Sequence, residues 1–261
     1  MKIATYNVNG IKARLPRLLE WLEETTPDVA CLQETKSVAE GVPVREIEAA
    51  GYHALLHGEK GFNGVAILTR EKAQLVRTGL PGADELEDGK EDQARYIEAD
   101  YKGVRIASIY LPNGNPQPGP KFDFKLRWME RLRLHASELW TLEKPTVLTG
   151  DFNIAPQDRD VFSMAAMGDD ALVQPESRAA WQAILSQGWL EALRAVHPLD
   201  DELYTFWDYQ AGAWPRNAGL RIDHHLLSPA IADRLLDAKV DKDYRGREKS
   251  SDHTPVWIEI A

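Results

Sequence analysis

Thiols are nearly absent from this 261-residue chain, which has one cysteine, Cys31. That excludes an internal disulfide and a zinc cluster built on thiolates. Cys31 sits in the apolar run "DVACLQE", where a thiol is expected to be buried and inert. No apolar run approaches the length of a membrane span. The opening "MKIATYNVNG" has neither an apolar core segment nor a small-residue cleavage site, so no secretory signal is read and the cytoplasm is the expected compartment. Positive charge is also in deficit: 31 Lys and Arg stand against 41 Asp and Glu, for a formal net charge of -10. A general basic surface for polyanions is thereby excluded, and any nucleic-acid role must rest on a local basic face or on metal ions. Nucleotide-binding readings lack both the P-loop and the G-x-G-x-x-G pattern. Acyl transfer on serine lacks a G-x-S-x-G elbow.

What is present suits an ordinary globular protein: 43% hydrophobic and 28% charged residues, in a chain long enough to bury a sizeable core. "KIATYNV" reads as a strand closed by the turn "NG". "LPRLLEWLEETT" places Leu15, Leu18, Leu19 and Leu22 at helical spacing, with Pro16 suited to a first turn. "PDVACLQE" follows as a strand, completing a β-α-β unit with parallel neighbours. "NGVAILT" and "GVRIASIYLP" read as strands separated by the polar stretch "PGADELEDGKEDQ". A helix is expected over Phe124 to Leu142, with Met129, Leu132, Ala136, Leu139 and Trp140 on one face, leading into the strand "PTVLTG". "RAAWQAILSQGWLEALRAV" reads as one or two helices broken at Gly188, and "RIDHHLLS" and "TPVWIEI" close the chain as strands. No low-complexity linker interrupts this order. A single α/β domain over residues 1–261 is the simplest account.

Polar residues gather where the strands stop. In "PTVLTGDFNIAP", Asp151 ends an apolar strand and Asn153 lies two residues on, a spacing that points both side chains the same way in extended chain. Taken alone, the pair reads as a turn. Asn7 and Asn9 follow "IATY", Glu34 follows "ACLQ", and Tyr110 ends "RIASI". Asp223 interrupts "RIDHHLL", and Asp252 with His253 precedes "TPVWIEI". Each has an ordinary structural reading as a turn, cap, solvated strand end or half-buried aromatic. Asp223 is the exception, because a carboxylate within a strand pattern must face solvent or find a partner. Coincidence of the whole set at strand exits is a weaker account than any single one of these readings, since ligands of open α/β sheets sit at the carboxyl ends of strands. Carboxylate and amide oxygens suit a hard cation such as Mg²⁺ or Mn²⁺. Together with a His–Asp pair to clamp a phosphate, they point to metal-assisted phosphoester hydrolysis.

The ordered set "ATYNVNGIKARL", "LQETK", "NGVAILT", "IYLPNG", "LTGDFNIAP", "YTFWDY", "GLRIDHHLLS" and "SSDHTPVW" resembles the exonuclease III family of apurinic/apyrimidinic endonucleases, within the endonuclease/exonuclease/phosphatase superfamily. The resemblance runs the length of the chain. It implies a four-layer α/β sandwich of the deoxyribonuclease I type, with two mixed β-sheets face to face and helices outside. It also implies cleavage 5′ to abasic sites in duplex DNA by a monomer, with 3′-to-5′ exonuclease and 3′-phosphatase or phosphodiesterase activity on blocked 3′ ends. One or two Mg²⁺ ions, replaceable by Mn²⁺, would serve as cofactor. By the same resemblance Glu34 is the main metal carboxylate, assisted by Asn7 and Asp252; Asp151, Asn153 and His253 complete the metal set, and a second ion, if there are two, would sit near Asp151 and Asn153. Asp151 activates or orients water, Asn153 holds a phosphate oxygen, His253 oriented by Asp223 contacts the scissile phosphate, and Tyr110 lies against it. Whether Asp151 or the His253–Asp223 pair is the base stays open. Phe206 and Leu220 would form the pocket for an extruded abasic sugar, with Asn217 near and Asn9 on the DNA side; Tyr204 and Trp207 read as core.

Two segments are locally cationic. "KFDFKLRWMERLR" carries Lys121, Lys125, Arg127, Arg131 and Arg133 against Asp123 and Glu130, and "DKDYRGREK" is the other. A solvated helix face is the plain reading of the first, and Lys121 is the expected phosphate contact within it. Two positions depart from the family pattern: Ser250 stands where proline is expected, and His224 where an apolar residue is usual. Two competing functions are a superfamily phosphatase or phosphodiesterase on a non-DNA phosphoester, and a non-catalytic DNA-damage binding module.

Overall fold

The computed structural model describes residues 1–82 and 93–261; most of the polar stretch "PGADELEDGKEDQ" lies outside the described residues. In chain order the elements begin β1 (Lys2–Asn7), α1 (Ile11–Thr25), β2 (Val29–Gln33), α2 (Val44–Ala49), β3 (His53–His57), β4 (Val65–Thr69) and β5 (Gln74–Thr78). They continue β6 (Tyr96–Tyr101), β7 (Val104–Tyr110), α3 (Pro120–Thr141), β8 (Thr146–Asp151), α4 (Met164–Met167), α5 (Pro175–Leu185), β9 (Leu190–Glu191) and α6 (Ala192–Val196). Last come β10 (Asp223–Leu227), α7 (Pro229–Ala232), β11 (Leu235–Val240) and β12 (Val256–Ile260).

The strands form two six-stranded mixed sheets, ordered β11-β12-β1-β2-β4-β3 and β5-β6-β7-β8-β10-β9. Each contains one parallel pair, β1 with β2 across α1 and β7 with β8 across α3, as β-α-β connections produce. Period-two alternation assigns the faces. Ile3, Val29, Cys31, Val65 and Ile67 of the first sheet meet Ile97, Ile106, Val147 and Leu227 of the second in the central core. The alternate residues Ala4, Tyr6, Ala30 and Leu32 pack outward under Leu18, Trp21 and Leu22 of α1. On the far side, Ile109, Leu148 and Leu226 pack under Met129, Leu132 and Leu139 of α3 and Ile184 of α5. Helix, sheet, sheet, helix is therefore the layer order, the α/β sandwich that was expected. No helix among the described residues is long and apolar enough to cross a membrane.

Three local readings are corrected. Helix α1 begins at Ile11, so Pro16 lies inside it instead of opening it; the apolar anchor is Ile11, fully buried ahead of the leucine run. Helix α3 begins at Pro120, four residues before the expected start, because a proline with its preset φ follows Gly119 at the first helical position. Trp140 stands 44% exposed, off the apolar face. Between α5 and α6 the chain turns at Gly188, which adopts φ +106, and inserts β9.

Candidate active site

The topology brings both sheets' polar strand ends to one place. Asn7 ends β1, Glu34 follows β2, Tyr110 ends β7 and Asp151 ends β8, all on strands whose carboxyl ends face the same way. Asp223 opens β10, which runs antiparallel to β8 with Asp223 directly opposite Asp151. His253 arrives just before β12, which is antiparallel to β1.

Asn7 joins the sheets. Its Nδ2 donates to Glu34 Oε1 and to Asp151 Oδ2, both at 2.9 Å, while its Oδ1 accepts the Asn9 N–H at 3.0 Å. Seated in this way, Asn7 clamps two carboxylates and has its oxygen already engaged. Glu34 occupies a left-handed conformation, φ +52, which turns its side chain into the cleft. Its Oε2 is 2.8 Å from Lys36 Nζ. Burial acts to raise the Glu34 carboxyl, but Lys36 and Asn7 outweigh it and hold it below its ordinary value.

Asp151 is buried, and its Oδ1 accepts the Asn153 N–H at 2.9 Å. Burial pushes this carboxyl well above the usual range, with the negative Asp223 and Glu34 adding to the rise and His253 opposing it. His253 donates through Nδ1 to Asp223 Oδ2 at 2.9 Å, and its Nε2 stands 3.6 Å from Asp151 Oδ2. Burial alone would lower the imidazole; Asp223 and Asp151 reverse that and raise it. Asp223 is held in turn by Thr205 Oγ1 at 2.6 Å, and its Oδ1 is buried without a partner. Tyr110 lies under the Arg95 guanidinium, 4.7 Å from the ring centre. Burial and the Glu34 charge push the phenol far up, so Tyr110 stays neutral and keeps its proton to donate.

These groups open onto a cleft of about 530 Å³ lined by Glu34, Tyr110, Asp151, Asn153, Asp252 and His253 on its polar side. Phe162, Met167, Leu172, Phe206, Leu220 and Ile222 line the apolar side. Phe206 bridges to both Leu220 and His253 and meets the imidazole edge-on at 5.0 Å. Asp252 accepts Asn9 Nδ2 at 3.0 Å, and Lys36 Nζ donates to Asn9 Oδ1, so Asn9 ties the Glu34 side of the cleft to the Asp252 side. Asn153 spends its side chain on Leu111 O and Asn113 Nδ2, at 2.9 and 3.1 Å. Lys121 is exposed in the first turn of α3 and does not line the cleft. Asn217 also stands outside it, accepting the Trp207 Nε1–H and donating to Glu202.

Ligand atoms of Glu34, Asp151 and His253 all lie within 4.8 Å of one another. A raised buried carboxyl beside an orphaned Asp223 oxygen is the electrostatic signature of a place that wants positive charge. Oxygen donors without thiolate fit a hard divalent cation.

Sequence reasoning missed several members of this site. Lys36 pairs with Glu34 two residues on, and Thr205 and Arg95 hold Asp223 and Tyr110. Lys125, read as part of a solvated helix face, is wholly buried; its Nζ donates to Asn153 O at 2.5 Å and Asn113 O at 3.1 Å. A lysine four residues before the buried Met129 in α3 carries a face signal that charge counting hid.

Fold and site define a phosphoester-cleaving enzyme of the Endonuclease/Exonuclease/phosphatase family, to which this chain belongs; the family model matches residues 4–253. The chain is similar to exodeoxyribonuclease III of Haemophilus influenzae, 32% identical with all of both chains covered. In structure it is similar to an AP endonuclease from Archaeoglobus fulgidus, with TM-score 0.92, 36% identity and 100% and 99% of the two chains covered. It is also similar to the 3′ phosphatase NExo from Neisseria bound to a product DNA hairpin, with TM-score 0.94, 37% identity and the same coverage.

Proposed function

We propose that this chain is a divalent-metal-dependent DNA-repair nuclease, a single catalytic domain that hydrolyses the phosphodiester 5′ to abasic sites in duplex DNA and removes blocked or recessed 3′ ends. The observation that carries the reading is the convergence of Glu34, Asp151 and His253, from distant parts of the chain, at one cleft with an apolar wall. Relatives acting as exodeoxyribonuclease III, AP endonuclease and 3′ phosphatase support it.

A Mg²⁺ or Mn²⁺ ion held by the Glu34 carboxylate, with Asp151 in reach, would supply Lewis-acid polarisation of a phosphate oxygen. Asn7 keeps the two carboxylates at their spacing. Asp151 is the base that takes the proton of the attacking water: its pKa is raised toward neutrality, and His253, held protonated between two carboxylates, has no lone pair to offer. The imidazolium and the neutral Tyr110 phenol donate to the scissile phosphate as charge develops on its oxygens. Phe206, Leu220, Phe162 and Met167 offer an extruded sugar apolar contact and no hydrogen bonds, which suits a residue that has lost its base.

The test is incision of a duplex carrying one abasic analogue, with Mg²⁺ and with chelator. Metal-dependent cutting 5′ to the lesion is expected. Absence of any metal-dependent cut would overturn the reading, and faster turnover of a non-DNA phosphoester would replace its substrate.

A further inference from the structure

A second depression, of about 400 Å³, lies on the other side of the cleft's rim. Arg14, Tyr209, Arg245, Arg247, Lys249 and Ser250 line it, and none of its lining residues is a carboxylate. In a chain with a net charge of -10, this patch gathers three of the four cations of "DKDYRGREK" with one from α1.

The rim is shared with the active cleft. Tyr209 faces the depression while its neighbours Asp208 and Gln210 line the cleft, and Ser250 lies two residues from the cleft residue Asp252. Two residues of extended chain span at most about 7 Å. Successive nucleotides of one strand rise about 3.4 Å along a duplex. The depression is therefore within reach of a phosphate adjacent to one seated at His253.

The cationic side chains are fixed by their neighbours. Arg14 Nη2 donates to Tyr209 Oη at 2.9 Å, and Tyr209 Oη donates to Ser250 O at 2.9 Å. Arg245 is nearly buried, donates to Trp207 O at 2.9 Å and lies 5.1 Å from the Tyr209 ring centre. The charge of Arg247 is taken up by Glu20 and Glu24. Among the described residues, no ion pair engages Arg14, Arg245 or Lys249, and Arg14 Nε is buried without a hydrogen-bond partner. Ser250, in place of proline, gives its hydroxyl to Arg245 O at 2.7 Å and helps fix the loop that presents Lys249.

We propose that this depression is an anion subsite that seats one backbone phosphate of the DNA strand flanking the scissile bond. It contributes affinity and register without reading sequence. The inference rests on the nuclease reading and extends it to a specific contact.

The experiment measures binding of the abasic-analogue duplex by fluorescence anisotropy in chelator, from 50 to 200 mM KCl. Compared are the wild type, the pair Arg14→Gln with Lys249→Asn, and a control pair of equal charge change, Lys72→Gln with Lys102→Gln. The control residues lie in the β4–β5 and β6–β7 connections, at the end of the sheets away from the cleft. Asparagine is chosen because Lys249 has φ +56, which asparagine tolerates. Melting temperatures check the folds. Losing one phosphate contact lowers the slope of log Kd against log salt by about 0.9, and about a tenfold weaker Kd at 100 mM is expected for the groove pair alone. Single methylphosphonates at the first three phosphates on either side of the lesion then localise the contact. One of them should weaken the wild type and leave the groove pair unaffected. If the groove pair matches the control pair while the wild type binds and cuts the duplex, the subsite is refuted and the nuclease reading stands. If every methylphosphonate penalty survives in the groove pair, the subsite is likewise refuted. A wild type that neither binds nor cuts the duplex overturns both.

Discussion

Asp151 and Asp223 are paired across adjacent antiparallel strands, and the buried imidazole of His253 lies between their carboxylates. Two acids in register would repel each other in a dry site; the ring separates them and takes charge from both. Asp223→Asn removes the larger support for the imidazolium. The sign follows: a raised pKa keeps His253 protonated to high pH, so losing Asp223 lets the proton leave at lower pH. Incision by the variant should fall about 10²-fold or more, and the alkaline limb of its pH–rate profile should move toward acid. A limb that stays in place with Asn at 223 would show that His253 does not act as a cation.

In the proposed metal site Asn7 is an outer partner, since its amide nitrogen orients both Glu34 and Asp151. Such partners are worth about 10–100-fold in metal affinity. Asn7→Ala should raise the Mg²⁺ concentration for half-maximal incision by that factor. Calorimetric titration of the DNA-free protein with Mn²⁺ should show the same shift.

How far the chain could be read in advance depended on range. Runs whose two faces are both covered, such as "VACLQ" and "DHHLL", announced strands without needing to alternate, because both faces of each sheet are buried. The edge strands β5, β3 and β11, exposed or half-buried, gave no such signal and were missed, as was the buried β6, whose run "YIEADY" is interrupted by Glu98 and Asp100. Asn7, Glu34, Asp151, Asp223 and His253 stood out because polar groups at the ends of apolar strands are conspicuous. Residues that act through long-range contacts did not. The Asp160–Arg221 pair, at 2.8 Å and wholly buried, ties the strand-like segment of Val161 to that of Leu220, yet the two residues are 61 positions apart. His224, odd for its place, packs on Trp181 at 4.6 Å between centroids and reaches Ile154 O, contacts visible only in three dimensions.

Lys125 offers a stability test. Burial pulls its ammonium down to about 7, and it still caps two loop carbonyls beneath Asn153. Lys125→Met fills the same space and leaves both carbonyls without a donor. A loss of about 1–3 kcal/mol is expected from denaturant unfolding at pH 6. Unchanged stability there would mean that the carbonyls find other donors.

His225 sets an acid limit. Burial lowers its pKa to about 4 from 6.5, with its ring nitrogens at 2.8 Å from Thr149 Oγ1 and 3.1 Å from Val256 O. Because the folded value lies below the unfolded one, the stabilisation is complete above pH 6.5 and is lost as pH falls toward 4. Between pH 7.5 and 5 the wild type should lose about 2 kcal/mol through this group. Replacing it by a non-titrating glutamine, His225→Gln, should flatten that slope in urea unfolding curves.

The grip of Asn7 on Asp151 spans two sheets that share no backbone hydrogen bond ladder. Catalytic competence is therefore expected to depend on how the halves of the sandwich are offset, since a misplacement of about 1 Å can cost about 10²-fold in rate even if every strand survives. Core substitutions at the central seam, such as Ile67 or Val147, should behave as remote brakes on turnover, dulling the enzyme well before it melts.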